Sequence, residues 1–172
     1  RTGEWFACDS SQFYPVRICL GKALTNGFPL SACVGRAAVM DRAWPASEGE
    51  AIHTSTYLGH PVGCAMALAQ IKELKEKKLI TKTRRLGKKF EKLYQRYPIE
   101  GARYIGRGLM AGLAFNPSDG PRVMAAVKTM LQRGYILLPA GEHAQVIAFS
   151  PPLTITEKQL ERTLATLQKV MS

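Results

Sequence analysis

The chain has 172 residues, of which 46% are hydrophobic and 22% charged, a balance typical of a globular protein with one domain or two small ones. No apolar run approaches bilayer length and the chain opens without the apolar core of a signal peptide, so we expect a cytoplasmic protein with no membrane partner. The net charge is +11, and it is concentrated in residues 72–96, where eleven Lys or Arg accompany three Glu.

This basic segment has two interpretations. A run of like charge can bind polyanions such as nucleic acids. The segment, however, lacks the interleaved aromatic residues of a single-strand binder and matches no named DNA-binding motif. We therefore interpret it as the solvated face of a helix and expect no nucleic-acid partner.

The four cysteines are Cys8, Cys19, Cys33 and Cys64. They are widely and irregularly spaced, and no Cys-x-x-Cys motif occurs. The spacing gives little support to a zinc site, so we predict free thiols in a reducing cytosol and no bound metal.

The first predicted elements surround Lys22. Residues 1–16 have the composition of a loop with one helical turn. Apolar runs predict short buried strands at 17–21 and 30–34, and a short helix follows at 36–43.

A lysine between two apolar runs is unusual, because desolvating an ammonium group is costly. From this local pattern alone, a surface lysine on a strand-to-loop turn is the more frequent case. The alternative is a lysine in an interior cleft, where its neutral amine forms Schiff bases with carbonyl compounds.

The segment from His53 to Pro61 is rich in hydroxyl groups and leads into a helix, with Pro61 in its first turn. The helix begins apolar on most faces, which predicts a buried start. Ser55 and Thr56 would place hydroxyls immediately before the helical amides, an arrangement suited to an anion. Simple N-capping is the other interpretation. Neither a Walker A sequence nor a Gly-x-Gly-x-x-Gly motif is present, so a nucleotide is not expected.

The second half of the chain predicts a compact α+β unit, and we place a junction near residues 78–81. Its elements, in order, are a helix at 79–97, two strands within 102–116, a helix from Pro121, strands at 135–138 and 146–150, and a last helix behind the capping box Thr156-Glu157-Lys158-Gln159. The helix from Pro121 has Val123, Val127, Met130 and Leu131 on one side, and Gly134 follows its end. The last helix has Leu160, Leu164, Leu167 and Met171 facing inward.

Six short blocks occur in order along the chain. They are Arg1-Thr2-Gly3, Trp5-Phe6-Ala7-Cys8, Leu20-Gly21-Lys22-Ala23-Leu24, the segment 53–61 with its Ser-Thr-Tyr and Gly-His-Pro, Arg107-Gly108-Leu109-Met110, and Pro151-Pro152-Leu153-Thr154-Ile155-Thr156. Together they resemble the C-terminal part of a class III, pyridoxal-phosphate-dependent aminotransferase, the group of ornithine, acetylornithine, 4-aminobutyrate and other ω-transaminases.

The resemblance implies an α/β fold of the fold-type-I class, with a mostly parallel seven-stranded sheet in the large domain. Residues 1–79 would end the large cofactor domain and 80–172 would form the α+β small domain. Lys22 would hold pyridoxal 5'-phosphate as a Schiff base and move a proton between the substrate and the cofactor. Thr56, with Ser55 beside it, would bind the cofactor phosphate across a homodimer interface.

The implied reaction moves an amino group from an amino acid or ω-amine donor to a 2-oxo acid. An aminomutase or a decarboxylating transaminase would use the same lysine chemistry. The alternative from another class is a non-catalytic fragment, acting as a dimerisation or basic polyanion-binding module.

Three departures from the resemblance matter. The family is much longer, and the missing part includes an aspartate that pairs with the pyridine nitrogen, so we expect this chain to be a fragment that is inactive alone. Ala148 stands where many members acting on α-amino acids have an arginine for the substrate carboxylate. His60, where other members have Asn, also points toward the ω-amine branch.

Overall fold

The computed structural model describes residues 1–47, 49 and 54–172; His53, where the predicted hydroxyl-rich segment begins, lies outside this range. The described chain forms two compact units, one of Cys8–Lys77 and one of Lys78–Ser172 together with Arg1–Ala7. The structure therefore groups the first seven residues with the second unit. The division into enzyme domains at 79/80 stays a prediction.

The Cys8–Lys77 unit is built around two short strands and two helices. Strand β1 (Arg17–Leu20) pairs antiparallel with β2 (Ala32–Gly35), in a register that sets Cys19 opposite Cys33. Helix α1 (Ala37–Ala43) follows β2 directly, and α2 (Pro61–Glu76) follows the hydroxyl-rich segment. Proline at the start of α2 agrees with the sequence, because its missing N–H would have no intrahelical acceptor there.

The predicted burial of this unit is wrong for the chain as described. Strand β1 alternates between exposed and half-buried residues, and the two central residues of β2 are exposed. In α2 only Gly63 and Ala67 are buried, while Leu68 is 68% exposed. Apolar periodicity identifies a surface that avoids water, but the described residues of this unit provide too few elements to cover it.

The second unit is an α+β unit with three helices, as the sequence predicted, and the structure shows that its sheet is antiparallel. The sheet has the order β3-β4-β6-β5, and α5 contacts both α3 and α4. Its elements are α3 (Leu79–Arg96), β3 (Arg103–Arg107), β4 (Met110–Ala114), α4 (Gly120–Gln132), β5 (Leu138–Ala140), β6 (Val146–Phe149) and α5 (Glu157–Met171).

The helices of this unit follow from their apolar stripes and caps. In α3 the stripe Leu79, Thr83, Phe90 and Leu93 is buried, and every Lys and Arg between residues 72 and 96 is exposed, as a solvated helix face requires. The capping box is present: Gln159 N–H donates to Thr156 Oγ1 at 3.2 Å, and Thr156 N–H donates to Gln159 Oε1 at 2.9 Å. The inward residues of α5 are buried, namely Leu160, Leu164, Leu167 and Met171.

Two local predictions were wrong. Leu131, expected on the inner side of α4, is 59% exposed. The strand expected at 135–138 forms at Leu138–Ala140 instead, where it pairs with Val146–Ala148. In this register Tyr135 would lie opposite Pro151, which has no N–H to donate, so ladder pairing does not reach the start of the expected strand.

The N-terminal residues belong to the second unit through backbone and side-chain hydrogen bonds. Leu109 N–H donates to the Arg1 carbonyl at 2.8 Å, and the Arg1 guanidinium donates to the Ser150 carbonyl at 2.5 Å. Arg84 Nε donates to the Gly3 carbonyl at 3.1 Å and its Nη2 pairs with Glu4 at 2.7 Å. These contacts bind the segment to α3 and to the β3–β4 turn.

Neither a membrane-crossing helix nor a cluster of three or more metal-ligating side chains occurs in the described part of the chain. The four cysteines are free thiols in the structure.

Candidate functional site

Lys22 lies where the chain leaves β1. Gly21 separates it from the strand, and Lys22 begins a short 3-10 helix that ends at Leu24, whose N–H donates to the Gly21 carbonyl at 3.1 Å. The backbone of Lys22 is left-handed, with φ +45°, a conformation that costs energy for a residue other than glycine. Its side chain is exposed among the described residues, so the structure does not enclose it in a cleft of this chain.

The turn after Lys22 is fixed by a buried threonine that the sequence analysis missed. Thr25 is only 1% exposed, and its Oγ1 donates to the Phe28 carbonyl. Between them, Asn26 and Gly27 both have positive φ, as an Asn-Gly turn allows. The sequence signal was a hydroxyl residue directly before Asn-Gly, a pattern in which a side chain often closes the turn.

The far side of this turn packs on the start of α2. The Phe28 ring centroid lies 5.5 Å from that of His60. Gly63 leaves room for Leu30, since a Cβ at position 63 would lie 3.3 Å from Leu30 Cδ1. The 3-10 helix that begins at Lys22 also contacts α2. The position of Lys22 is therefore set by β1 on one side and α2 on the other.

His60, and not Ser55 or Thr56, caps α2. Its Nδ1 accepts from Gly63 N–H at 3.4 Å, and its carbonyl accepts from Cys64 N–H at 3.0 Å. A turn closed by Leu58 N–H on the Ser55 carbonyl, 3.1 Å, lies between the hydroxyls and the helix. The expectation that Ser55 and Thr56 immediately precede the helix was wrong, because residues 56–59 form that turn.

The Ser55 and Thr56 side chains are exposed, and neither hydroxyl forms a hydrogen bond within the described chain. They are therefore available to an anionic ligand. The structure brings the segment that contains Ser55 and Thr56 to the same end of α2 as the Lys22 turn. Both contact His60, whose ring centroid lies 6.3 Å from that of Tyr57 and 5.5 Å from that of Phe28.

Ala148, expected where some relatives carry an arginine, lies within β6, paired with Gly112 of β4 and Leu138 of β5. The second unit also contains a cavity of about 580 Å³ between the segment before β5 and the start of α5, lined by Tyr135, Pro151 and Arg162 among others. The cavity is formed without Lys22, Ser55 or Thr56.

Comparison with known proteins gives a consistent result. Residues 1–171 match the family model described as "Aminotransferase class-III". The whole chain is 34% identical to a protein of Thermococcus litoralis named leucine/methionine racemase, of which it covers 39%, and 31% identical to the ornithine aminotransferase of Oceanobacillus iheyensis, of which it covers 41%. The chain thus spans about 40% of the length of these relatives.

The fold is shared with a solved structure, the ornithine aminotransferase of Toxoplasma gondii. The two superpose with a TM-score of 0.85 at 31% identity, over 99% of this chain and 39% of that one.

Proposed function

Because this chain belongs to the class-III aminotransferase family, we propose that it forms part of a pyridoxal-phosphate-dependent aminotransferase. The reaction would move an amino group from an amino acid or ω-amine donor to a 2-oxo acid. The observation that carries the proposal is the left-handed Lys22 turn, braced by Thr25 and packed on α2. In this proposal residues 1–79 end the large cofactor domain, residues 80–172 form the small domain, and the enzyme is a cytoplasmic homodimer.

Three side chains of this chain fit the cofactor. The Lys22 amine is exposed and can form a covalent bond with the aldehyde carbon of pyridoxal phosphate. The Ser55 and Thr56 hydroxyls are exposed and unbonded within the described chain, so both can donate to phosphate oxygens. In a homodimer these hydroxyls would serve the cofactor of the partner subunit.

The chemistry divides between the cofactor and the protein. Pyridoxal phosphate, when bound, supplies the electron sink that makes the substrate Cα–H acidic. Lys22 would hold the cofactor through its side-chain amine, and the same amine, when free, would move the proton of the substrate Cα. This task depends on position, because a displacement of about 1 Å can cost on the order of 100-fold in rate.

The donor we propose carries its reacting amine away from an α-carboxylate. An alanine at position 148 cannot form the bidentate pair that an arginine makes with a carboxylate. The ornithine and 4-aminobutyrate aminotransferases among the relatives, each above 30% identity, support the same class of donor.

A second candidate is racemisation, which the similarity to the Thermococcus litoralis protein favours. Lys22 would remove the Cα proton and a proton would return to the opposite face, with no amino-group acceptor. The two reactions differ in one requirement that is easily measured: only transamination needs a 2-oxo acid.

The test uses the full-length protein with added pyridoxal phosphate, reduced with borohydride and digested with trypsin. Trypsin cleaves after Lys22 only if the amine is free, so we expect the cofactor on the uncleaved peptide 18–36. Lys22→Ala should abolish the adduct, and Lys75→Ala, which removes another exposed lysine of α2, should leave it unchanged. An adduct that survives Lys22→Ala, or none in the parent protein, would refute the proposal.

The reaction is then assigned with substrates. Ornithine or 4-aminobutyrate should lose its amino group only when 2-oxoglutarate is present. Conversion of L-leucine to D-leucine without any 2-oxo acid would instead select the racemase.

A further inference from the structure

One side of α3 carries a row of positive charges, which we call the cation row. Its members are Lys82, Arg85, Lys89, Lys92 and Arg96. They are spaced alternately by three and four residues, and at 3.6 residues per turn this spacing keeps them on one side of the helix. At 1.5 Å per residue the row is about 21 Å long. All five side chains are exposed in the described chain.

The charge of the cation row is only partly neutralised within its own unit. Glu157 of α5 pairs with Lys89, and Glu161 pairs with Arg96 at 2.9 Å. The other three members of the row form no ion pair among the residues that the structure describes. Glu91, the acidic residue of α3 itself, is on the other side of the helix. Three cations on one side of the helix are therefore left for another ligand.

The arrangement of the cation row works against the stability of the helix. Like charges three or four residues apart repel each other, whereas opposite charges at the same spacing attract. Glutamates at alternate positions of the row would have turned each repulsion into an ion pair and kept the surface polar. A need for solvation alone does not account for five cations without an intervening acid. The pattern is typical of a surface whose positive charge is used.

The chemistry of the row restricts what can lie against it in the full-length protein. The chain spans about 40% of the length of its relatives, so other parts of the protein can cover faces that are exposed here. An ammonium or guanidinium group that is buried without a counter-charge loses its hydration at a high cost. Apolar surface is therefore excluded from the row, and whatever contacts it supplies either water or negative charge.

The form of the row and its aromatic neighbours indicate which anion fits. The row is one side chain wide, which suits a linear ligand. Phe90 is buried, and the half-buried Tyr94 and Tyr97 donate their hydroxyls to the Ala102 carbonyl and to Glu161. No aromatic ring of α3 is thus placed to stack on a base, as proteins that bind single-stranded nucleic acids require. The ligand is held by its phosphates alone.

We propose that the cation row binds linear polyphosphate. The unpaired Lys82, Arg85 and Lys92 donate to phosphate oxygens, Arg85 through its two-pronged guanidinium and the lysines as point charges. Lys89 and Arg96 remain paired with the α5 glutamates and extend the positive field along the helix. The row contains no residue that we assign to the cofactor, so this binding is independent of the proposed aminotransferase.

The test measures binding of inorganic polyphosphate, labelled with a fluorophore at one end, by fluorescence anisotropy. The full-length protein is first saturated with pyridoxal phosphate, so that the cofactor site cannot take the probe. We expect binding that weakens steeply with salt. Replacing Lys82, Arg85 and Lys92 together by glutamine should weaken it at least about tenfold and lower the slope of log Kd against log salt by about 2, because three phosphate contacts are lost.

A matched variant separates the row from net charge. Lys128→Gln, Lys158→Gln and Lys169→Gln together remove three charges from exposed positions of α4 and α5. This variant should weaken binding by less than about threefold, because these charges are distant from the ligand and screened by salt.

A second variant keeps the charge of the row but exchanges its side chains. Lys82→Arg, Arg85→Lys and Lys92→Arg together should bind polyphosphate like the parent, and far-UV circular dichroism shows whether each variant retains its helices.

Three results would overturn the proposal. The parent protein would fail to bind polyphosphate if acidic residues elsewhere in the full-length protein already neutralise the row. Equal losses in the two glutamine variants would mean that net charge, and not the row, attracts the probe. Displacement of polyphosphate by duplex DNA at a lower phosphate concentration than by unlabelled polyphosphate would assign the row to nucleic acid instead. Transamination enters none of these measurements, so its failure would leave them unaffected.

Discussion

Gly87 of α3 packs directly on Gly108 in the turn between β3 and β4. A Cβ added at position 87 would lie 2.3 Å from the Gly108 Cα and 2.7 Å from its carbonyl oxygen. Gly108 itself has φ +60° and lies against the Arg1 carbonyl, with which the adjoining Leu109 N–H forms a hydrogen bond of 2.8 Å. Helix, turn and N-terminal segment therefore meet at a point where only glycine fits.

Gly87→Ala should destabilise the protein by at least about 2 kcal/mol, because the added methyl group overlaps backbone atoms that have no space to move into. The direction is informative, since Gly→Ala in an exposed helix normally stabilises by about 1 kcal/mol. Urea unfolding measures the change. Lys88→Ala, at the exposed neighbouring position, should alter stability by less than about 0.5 kcal/mol. A Gly87→Ala protein as stable as the parent would show that α3 is not held this closely.

Tyr104 should make stability fall at alkaline pH. Burial, and in second place the charge of Glu91, raise its pKa to about 12 from the usual 10. The folded protein therefore keeps this proton at pH values where the unfolded chain has lost it, so stability is fully present below pH 10 and declines between about 10 and 12. Tyr104→Phe retains the ring contacts with Phe90 and Tyr94 but has no proton to lose, so its decline should be shallower.

Thermal unfolding of both proteins from pH 9 to 11.5 tests this difference, and other titrating groups cancel in the comparison. Tyr14→Phe is the matched control, because Tyr14 is 78% exposed. Parallel curves for the parent and Tyr104→Phe would contradict the expected role of Tyr104.

The second unit was the more predictable half of the molecule, and its helices show why. The stripes of α3 and α5 pack on elements of the same unit, so apolar periodicity and burial agree. The packing role of Gly87 could not be predicted from this pattern, because a glycine in a helix lowers the predicted helix propensity and gives no information about which backbone atoms lie against it. The position of β5 depends on where its partner strand β6 ends, and that end is determined by residues near 150 rather than by residues 135–138.

The candidate site was predictable in its residues but not in its construction. The Gly-Lys turn between apolar runs singled out Lys22, and the hydroxyl-rich segment singled out Ser55 and Thr56. His60 as the cap of α2 was not expected, because histidine is an uncommon N-cap and two better-suited residues, Ser55 and Thr56, stand five and four positions earlier. Thr25 was missed because its bond to the Phe28 carbonyl is made only once the turn has closed.

Thr25 and Thr83 should respond in opposite ways to the same substitution. Both are 1% exposed, but Thr25 Oγ1 donates to the Phe28 carbonyl, whereas Thr83 Oγ1 is buried in α3 without a hydrogen-bond partner in the described chain. Valine has the shape of threonine without the hydroxyl. Thr25→Val should therefore destabilise by about 1–3 kcal/mol by leaving a turn carbonyl without its donor, and Thr83→Val should stabilise by about 1 kcal/mol by removing an unpaired hydroxyl.

Urea unfolding of the two variants measures these signs, and Thr25→Ser, which keeps the hydroxyl, should lie closer to the parent than Thr25→Val does. The Thr25 turn also positions Lys22, so Thr25→Val should slow the borohydride-trapped attachment of pyridoxal phosphate at Lys22, whereas Thr83→Val should leave it unchanged. Equal attachment rates in the two valine variants would mean that the turn holds Lys22 without the threonine bond. Two changes of stability with the same sign would instead mean that shape, and not hydrogen bonding, decides both positions.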